Sequence, residues 1–152
     1  MKLFLRALCA FLALPVVVAG VVPYLILGDT MILSPTAVLG GCLLGIGLGL
    51  LIWCVRDFFV SGRGTLAPWD PPKHLVVSGL YRFVRNPMYV AVLLIIAGWC
   101  ALFISPPLVL YLFVLAIGFH LRVVLHEEPW LRKTFGAEWE AYSRNVSRWL
   151  PR

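Results

Sequence analysis

Two short polar stretches interrupt an otherwise apolar chain. One is Gly79-Leu80-Tyr81-Arg82-Phe83-Val84-Arg85-Asn86-Pro87-Met88-Tyr89; the other holds His120, Arg122, His126, Glu127 and Glu128. Asn86-Pro87 reads as a helix start, with Asn at the N-cap and Pro in the first turn. Free N–H groups and the positive dipole end gather there, and Arg85 adds a full charge, so this stretch suits a carboxylate or a phosphate. Glu127 and Glu128 are adjacent like charges and need a cation or water beside them.

Each group also has a plain structural reading. Arg82 and Arg85 suit lipid headgroups, with the tyrosines in an interfacial aromatic belt, and either arginine suits a pairing with the glutamates. Tyr81 and Arg85 stand four residues apart, but Pro87 disfavours one continuous helix to Tyr89, so a short turn leading into a helix is expected. His120 and His126 are six apart, about 120° around a helix, unlike an i,i+4 zinc pair, and no metal site is expected. Cys9, Cys42, Cys54 and Cys100 show no CxxC spacing and read as packing residues.

The elements that must position these groups are membrane helices. The chain has 152 residues, is 61% hydrophobic and has a mean hydropathy of +0.92, against about 45–50% apolar content in a soluble domain. The fold class expected is an all-α integral membrane protein with four transmembrane helices near Leu3–Leu27, Thr36–Val60, Met88–Ile104 and Leu108–Leu125. Lys2 and Arg6 ahead of the first run imitate a secretory signal, but the run is too long and no small-x-small cleavage site follows.

All 13 Lys and Arg residues fall at the N-terminus, near the end of the second span, in the 61–87 connection, or from Arg122 onward. By the positive-inside rule both termini and the polar groups are cytoplasmic. The net charge of +6 then belongs to one face and attracts anionic lipid headgroups. No nucleic-acid-binding module is present, and nucleic acid is not an expected partner.

Gly41, Gly45 and Gly49 form a smooth stripe on the second span that predicts close helix packing. Gly45-x-Gly47-x-Gly49 imitates a dinucleotide fingerprint, but no strand precedes it. Residues Ser61–Leu80, with Gly62, Gly64, Pro68, Pro71, Pro72 and Trp69, read as a cytoplasmic connection folded against the membrane. After Glu128 the pattern ceases to span: Pro129 opens a helical pattern, Gly136 interrupts it, and Leu131, Phe135, Trp139, Tyr142 and Val146 recur as the apolar side of cytoplasmic amphipathic helices.

Taken in order, Lys73-His74-Leu75-Val76, Gly79-Leu80-Tyr81, Arg85-Asn86-Pro87-Met88-Tyr89, Glu127-Glu128, Phe135-Gly136, Tyr142 and Arg148-Trp149-Leu150-Pro151 resemble the isoprenylcysteine carboxyl methyltransferase family. The broader group includes phospholipid N-methyltransferases. The resemblance covers about Lys73 to Pro151. It implies a membrane enzyme that takes a methyl group from S-adenosylmethionine and releases S-adenosylhomocysteine. The pocket it implies is formed by Lys73, His74, Leu75, Val76, Tyr81, Arg85, Asn86, Pro87, Met88, Tyr89 and Glu127. The donor's carboxylate would suit Arg85 or the helix start, its ammonium Glu127 or Glu128, and its sulfonium the tyrosine faces.

The chain departs from that family at Asn86, where His is usual, and at Leu80. The family's substrate-contacting arginine, one helical turn before the first glutamate, aligns with Val123; its neighbour Arg122 points about 100° away on an ideal helix. The expected reaction centre is Glu128, Arg122 and His126, with Glu128 or His126 accepting a proton when the acceptor is an amine. The expected acceptor is a lipophilic molecule such as a prenylated cysteine, with a phospholipid amine or a small thiol as the alternative. A non-catalytic membrane scaffold is the alternative of another class. The chain reads as one membrane domain, 1–72 forming the first spans and connection and 73–152 the methyltransferase-like region.

Overall fold

The structure, a computed structural model, describes residues 15–29, 31–62 and 74–151. Lys73, Cys9, Trp69 and the start of the first expected span therefore lie outside the described residues. The architecture is all-α. Helix α1 is Val17–Leu27, wound as a π-helix over Val17–Val21, and α2 is Ala37–Gly62. A 3-10 turn, Gly79–Arg82, leads to α3, Pro87–Leu102. Helix α4, Pro106–Arg122, passes through a π turn, Val123–Glu127, into α5, Glu128–Phe135, and α6 is Ala137–Asn145.

The 30-residue run Pro106–Phe135 and the 21-residue run Ala37–Asp57 are long and apolar enough to cross a membrane. Val17–Leu27 and Pro87–Leu102 are shorter apolar helices. The outer surfaces are apolar as well: Leu110, Phe113, Val114, Ile117 and Leu121 form one exposed row along α4, and Val38, Ile46 and Ile52 are exposed on α2. Water would not tolerate rows of this kind on one small protein, whereas lipid solvates them.

The core lies where α2 meets α3, with Ala19 of α1 and Leu51, Ala91, Val92, Ile95 and Ile96 at its centre. The approach is set by glycines other than the stripe expected from the sequence. A Cβ on Gly40 would lie 2.6 Å from the Leu102 backbone N, on Gly47 2.7 Å from Ile95 Cγ1, and on Gly98 2.8 Å from Leu44 Cγ. Nothing lies within 4 Å of such an atom at Gly41, Gly45 or Gly49. Seven residues nearly complete two helical turns, so Gly40 and Gly47 share a face from which Gly41 is turned by about 100°. At the opposite end from the polar groups, Ser34 N donates to Leu102 O (2.9 Å), Ile104 N to Ile32 O (3.2 Å) and Thr36 Oγ1 to Ala101 O (2.9 Å).

The sequence reading ends the fourth span at Leu125 and starts a new helix at Pro129, but the helix runs on without a break. The π turn explains how. A proline lacks an N–H and its ring crowds the carbonyl four residues back, here that of Leu125. Widening the preceding turn relieves that crowding and lets the helix continue to Phe135. The same device recurs in α1, where Val17–Val21 is π-wound and Pro23 follows. Pro23 cannot bond the Ala19 carbonyl, which instead accepts the Trp99 indole N–H at 2.9 Å, and Val18 O accepts the Tyr111 hydroxyl at 2.9 Å.

Candidate functional site

The polar groups meet at one end of the bundle, around the start of α3. Gly79 opens the 3-10 turn with φ +58°, a left-handed value that favours glycine. A Cβ at this position would strike the carboxylate of Asp57, near the end of α2. That carboxylate accepts the Leu80 backbone N–H at 3.3 Å, so an acid from α2 caps a turn more than twenty residues later. The turn carries Tyr81, whose backbone O accepts the Tyr142 hydroxyl at 2.7 Å. Burial pushes both phenols above their ordinary range, so each keeps its proton at neutral pH.

The chain's last residues return as a strap. Val84 and Ser147 form an isolated parallel bridge, and Arg85 N donates to Ser147 O at 2.8 Å. Asn86 occupies the N-cap position of α3, but its side chain makes no cap; its Nδ2 donates to Arg148 O at 3.1 Å. The Asn-Pro pair therefore starts the helix as expected, while the asparagine amide serves the strap. Arg85 also lies over Trp139, 5.5 Å from the ring centroid, and Trp139 is buried in the core-facing side of α6.

Glu128 is held by two arginines. Arg148 grips it as a fork, Nε to Oε1 at 2.7 Å and Nη2 to Oε2 at 2.8 Å, and Arg85 Nη1 donates to Oε1 at 2.9 Å. With side-chain exposures of 13% for Arg85 and 17% for Glu128, this pair is shielded enough to matter energetically. The Glu128 bond keeps the Arg148 guanidinium above its already high ordinary value. The expectation that Glu128 receives a proton meets a physical obstacle: a carboxylate bonded by three guanidinium N–H groups is a poor base. Of the two arginines considered for this pairing, Arg85 makes it; Arg82 is exposed and lies over the Phe83 ring.

Glu127 is arranged differently. Its Oε1 accepts both the Tyr89 hydroxyl and Arg122 Nε at 2.9 Å, and its Oε2 takes neither bond. The sequence reading placed Arg122 about 100° off the needed face, with Val123 in register. The π turn corrects this: its i→i+5 spacing sets Arg122 against Glu127, and Val123 is fully buried.

Through Tyr89 this carboxylate joins a set of rings packed on one another. Tyr89 stacks at 4.6 Å on Phe119 and stands 6.4 Å from Trp149, whose Nε1 donates to His120 Nδ1 at 3.2 Å. Pro87 and Val76 are buried, Met88 packs against the core, and Leu75 is partly buried. His74 and His126 are exposed, and neither joins the Glu127 or Glu128 hydrogen bonds. No group of three metal-ligating side chains occurs among the described residues. The sequence reading left Asp57 without a role and gave Arg148 and Trp149 none in the site. An acid inside the apolar second span was the available signal for Asp57; the strap contacts of Arg148 and Trp149 depend on the tail's return.

The donor set suits a zwitterionic cofactor: an open carboxylate oxygen on Glu127, tyrosine faces and the start of α3 lie together, with more cations than anions around them. Residues 35–138, more than half of the chain, match the family described as phospholipid methyltransferase, a family of membrane enzymes that use S-adenosylmethionine. The match spans the Arg85–Tyr89 segment and both glutamates and names the broader group rather than the isoprenylcysteine enzymes that the motifs resemble. No curated protein and no solved structure matches. The chain carries a methyltransferase domain and belongs to the phospholipid methyltransferase family.

Proposed function

We propose that this chain methylates the amino headgroup of a membrane phospholipid, using S-adenosylmethionine, at a site on the cytoplasmic side of a four-span bundle with both termini in the cytoplasm. The family favours the phospholipid over the prenylated cysteine as acceptor. The observation that carries the reading is the Glu127 group, where Tyr89 and Arg122 both bond Oε1 and leave Oε2 to a ligand.

The first turn of α3, from Asn86 to Tyr89, and the charge of Arg85 suit the donor's carboxylate; Glu127 Oε2 suits its ammonium, and the Tyr89 ring its sulfonium. His74, Leu75, Val76 and Tyr81 would flank it on the side of the 3-10 turn. When bound, S-adenosylmethionine supplies a methyl group already activated on sulfonium, so no covalent enzyme intermediate is needed. The protein's part is orientation and exclusion of water. Glu128, fixed by Arg85 and Arg148, acts here as a positioning residue that holds the strap over the site. The acceptor ammonium must lose a proton to become a nucleophile, and the exposed imidazole of His126 beside Glu127 passes it to water. Arg122 stands at the rim, where the acceptor's phosphate arrives.

Purified protein given methyl-labelled donor with phosphatidylethanolamine vesicles or farnesylcysteine tests this. Label is expected in the lipid. Label in the prenylcysteine alone would overturn the acceptor, and absence of S-adenosylhomocysteine affinity at millimolar concentration would overturn the enzyme reading.

A further inference from the structure

Helix α2 carries a single acid, Asp57, to the end of the bundle that holds the polar groups. It is partly buried, and among the described residues no cation stands within salt-bridge distance of it. An acid kept in an apolar helix without a counter-charge is costly, and so implies a task. Its Oδ2 accepts the Leu80 backbone N–H at 3.3 Å, and Gly79, at φ +58°, leaves no room for a Cβ against the same carboxylate. On the other side of this turn the Tyr142 hydroxyl of α6 donates to Tyr81 O at 2.7 Å. Tyr81 N donates to Ser78 O at 3.1 Å, so the peptide groups before, between and after Leu80 and Tyr81 are all held. Burial raises the Tyr81 phenol, and Cys54, Tyr142, Asp57 and Glu127 add to the effect. The ring therefore lies in electrostatic reach of both the α2 acid and the carboxylate of the donor site.

We infer that Asp57 and Tyr142 are positioning residues for methyl transfer: they clamp the backbone of Leu80 and Tyr81 from two sides and set the Tyr81 ring against the donor. The inference rests on the proposed place of Tyr81 beside S-adenosylmethionine and adds what holds it there. Neither residue touches the donor; each acts through Tyr81. The clamp also explains how two walls of one site keep their register. Gly40 and Gly47 press α2 onto α3, and Leu51 and Cys54 continue the buried side of α2 toward Asp57, which stands about 15 Å along the axis from Gly47. Helix α3 carries Asn86–Tyr89 itself, whereas α2 governs Tyr81 only through the Asp57 bond. One helix contact therefore aligns both walls. A carboxylate makes a charge-assisted bond to the N–H; an amide oxygen reproduces its geometry with less strength.

The test is a double-mutant cycle on the full chain in maltoside detergent, read by S-adenosylhomocysteine calorimetry with melting temperature measured on the same samples. Loss of one hydrogen bond to a charged group predicts that Asp57→Ala weakens affinity about tenfold. Asp57→Asn should recover most of that loss, because the amide oxygen still accepts from Leu80. In a Tyr81→Leu background, itself weakened, Asp57→Ala should cause no further loss. If Asp57→Ala does not fold, Tyr142→Phe, which removes one hydroxyl, takes its place in the same cycle with the same expectation. Equal effects of Asp57→Ala with and without the tyrosine ring would make the acid structural and overturn the clamp. So would unchanged affinity in Asp57→Ala, or in Tyr81→Leu. Wild-type affinity without coupling refutes the clamp alone, and no wild-type affinity at millimolar concentration refutes the donor reading along with it.

Discussion

Removing Leu125 together with Pro129→Ala should leave the site standing, whereas removing Leu125 alone should not. The π turn Val123–Glu127 amounts to one extra residue in an α-helix, so its flanks keep their register when that residue is deleted. Leu125 is 60% exposed, so its loss removes little packing. Arg122 and the first glutamate then stand four apart and still face each other. With Pro129 retained, however, its ring meets a carbonyl in a regular helix at a cost of about 3 kcal/mol, a shift of roughly 100-fold in the folding equilibrium. The double variant should recover most of that. Thermal unfolding in detergent and S-adenosylhomocysteine calorimetry read both quantities. Were the segment an ordinary helix, the deletion would turn both glutamates by about 100° and separate Glu128 from Arg85 and Arg148. Hydrogen bonds to charged groups are worth about 1.5–3 kcal/mol each, so the double variant would then be no better than the single deletion and would lose donor binding. That result would refute the account of Arg122 as well as that of the proline.

Gly79→Ala places a methyl group against Asp57 and a side chain at φ +58°; at about 1–3 kcal/mol for such backbone strain, donor affinity should fall about tenfold while circular dichroism keeps its helical signal. Arg148→Ala should lower the melting temperature and expose the chain after Asn145 to protease, and Arg148→Lys should restore little, because a point charge does not reproduce the fork on Glu128. Glu127→Gln should weaken donor affinity with little change in melting temperature; an equal loss of stability would make this carboxylate structural. Burial raises the Tyr142 phenol above its ordinary value, so its contribution is complete below about pH 10 and is lost as pH rises further. Melting temperature followed from pH 8 to 11 should therefore fall less steeply in Tyr142→Phe than in the wild type.

The apolar helices, two of them long enough to cross a membrane, and the polar groups are legible in the sequence because hydropathy and charge act locally. Asn86-Pro87 does start a helix, and Gly136, at φ +50°, does divide α5 from α6. Within the chain the close approach uses other glycines than the expected stripe, which serves contacts within one chain or between two: periodicity shows which residues share a face but not which face meets a neighbour, and nothing among the described residues lies against Gly41, Gly45 and Gly49. A uniform 3.6-residue period misplaces Arg122 because the turn between it and Glu127, just ahead of a proline, is π-wound. Pro129 was itself the available signal, since a proline inside a helix implies a kink, a break or a widened turn upstream. Asp57 and Arg148 bond partners twenty or more residues away, and neither contact follows from spacing.

The strap also determines the sign of the site. Within the stretch that matches the family, residues 35–138, Arg85 and Arg122 face Glu127 and Glu128, which leaves no net charge. Arg148, beyond that stretch, adds a third guanidinium to the two carboxylates. The surplus cation favours the carboxylate or phosphate end of a ligand, and both guanidinium groups that close the strap fall on Glu128 rather than Glu127. One glutamate is thus consumed in closing the tail onto α3, and the other is left with an oxygen open beside the rings. Two adjacent carboxylates, indistinguishable by type, are held differently because the strap supplies a partner to only one of them.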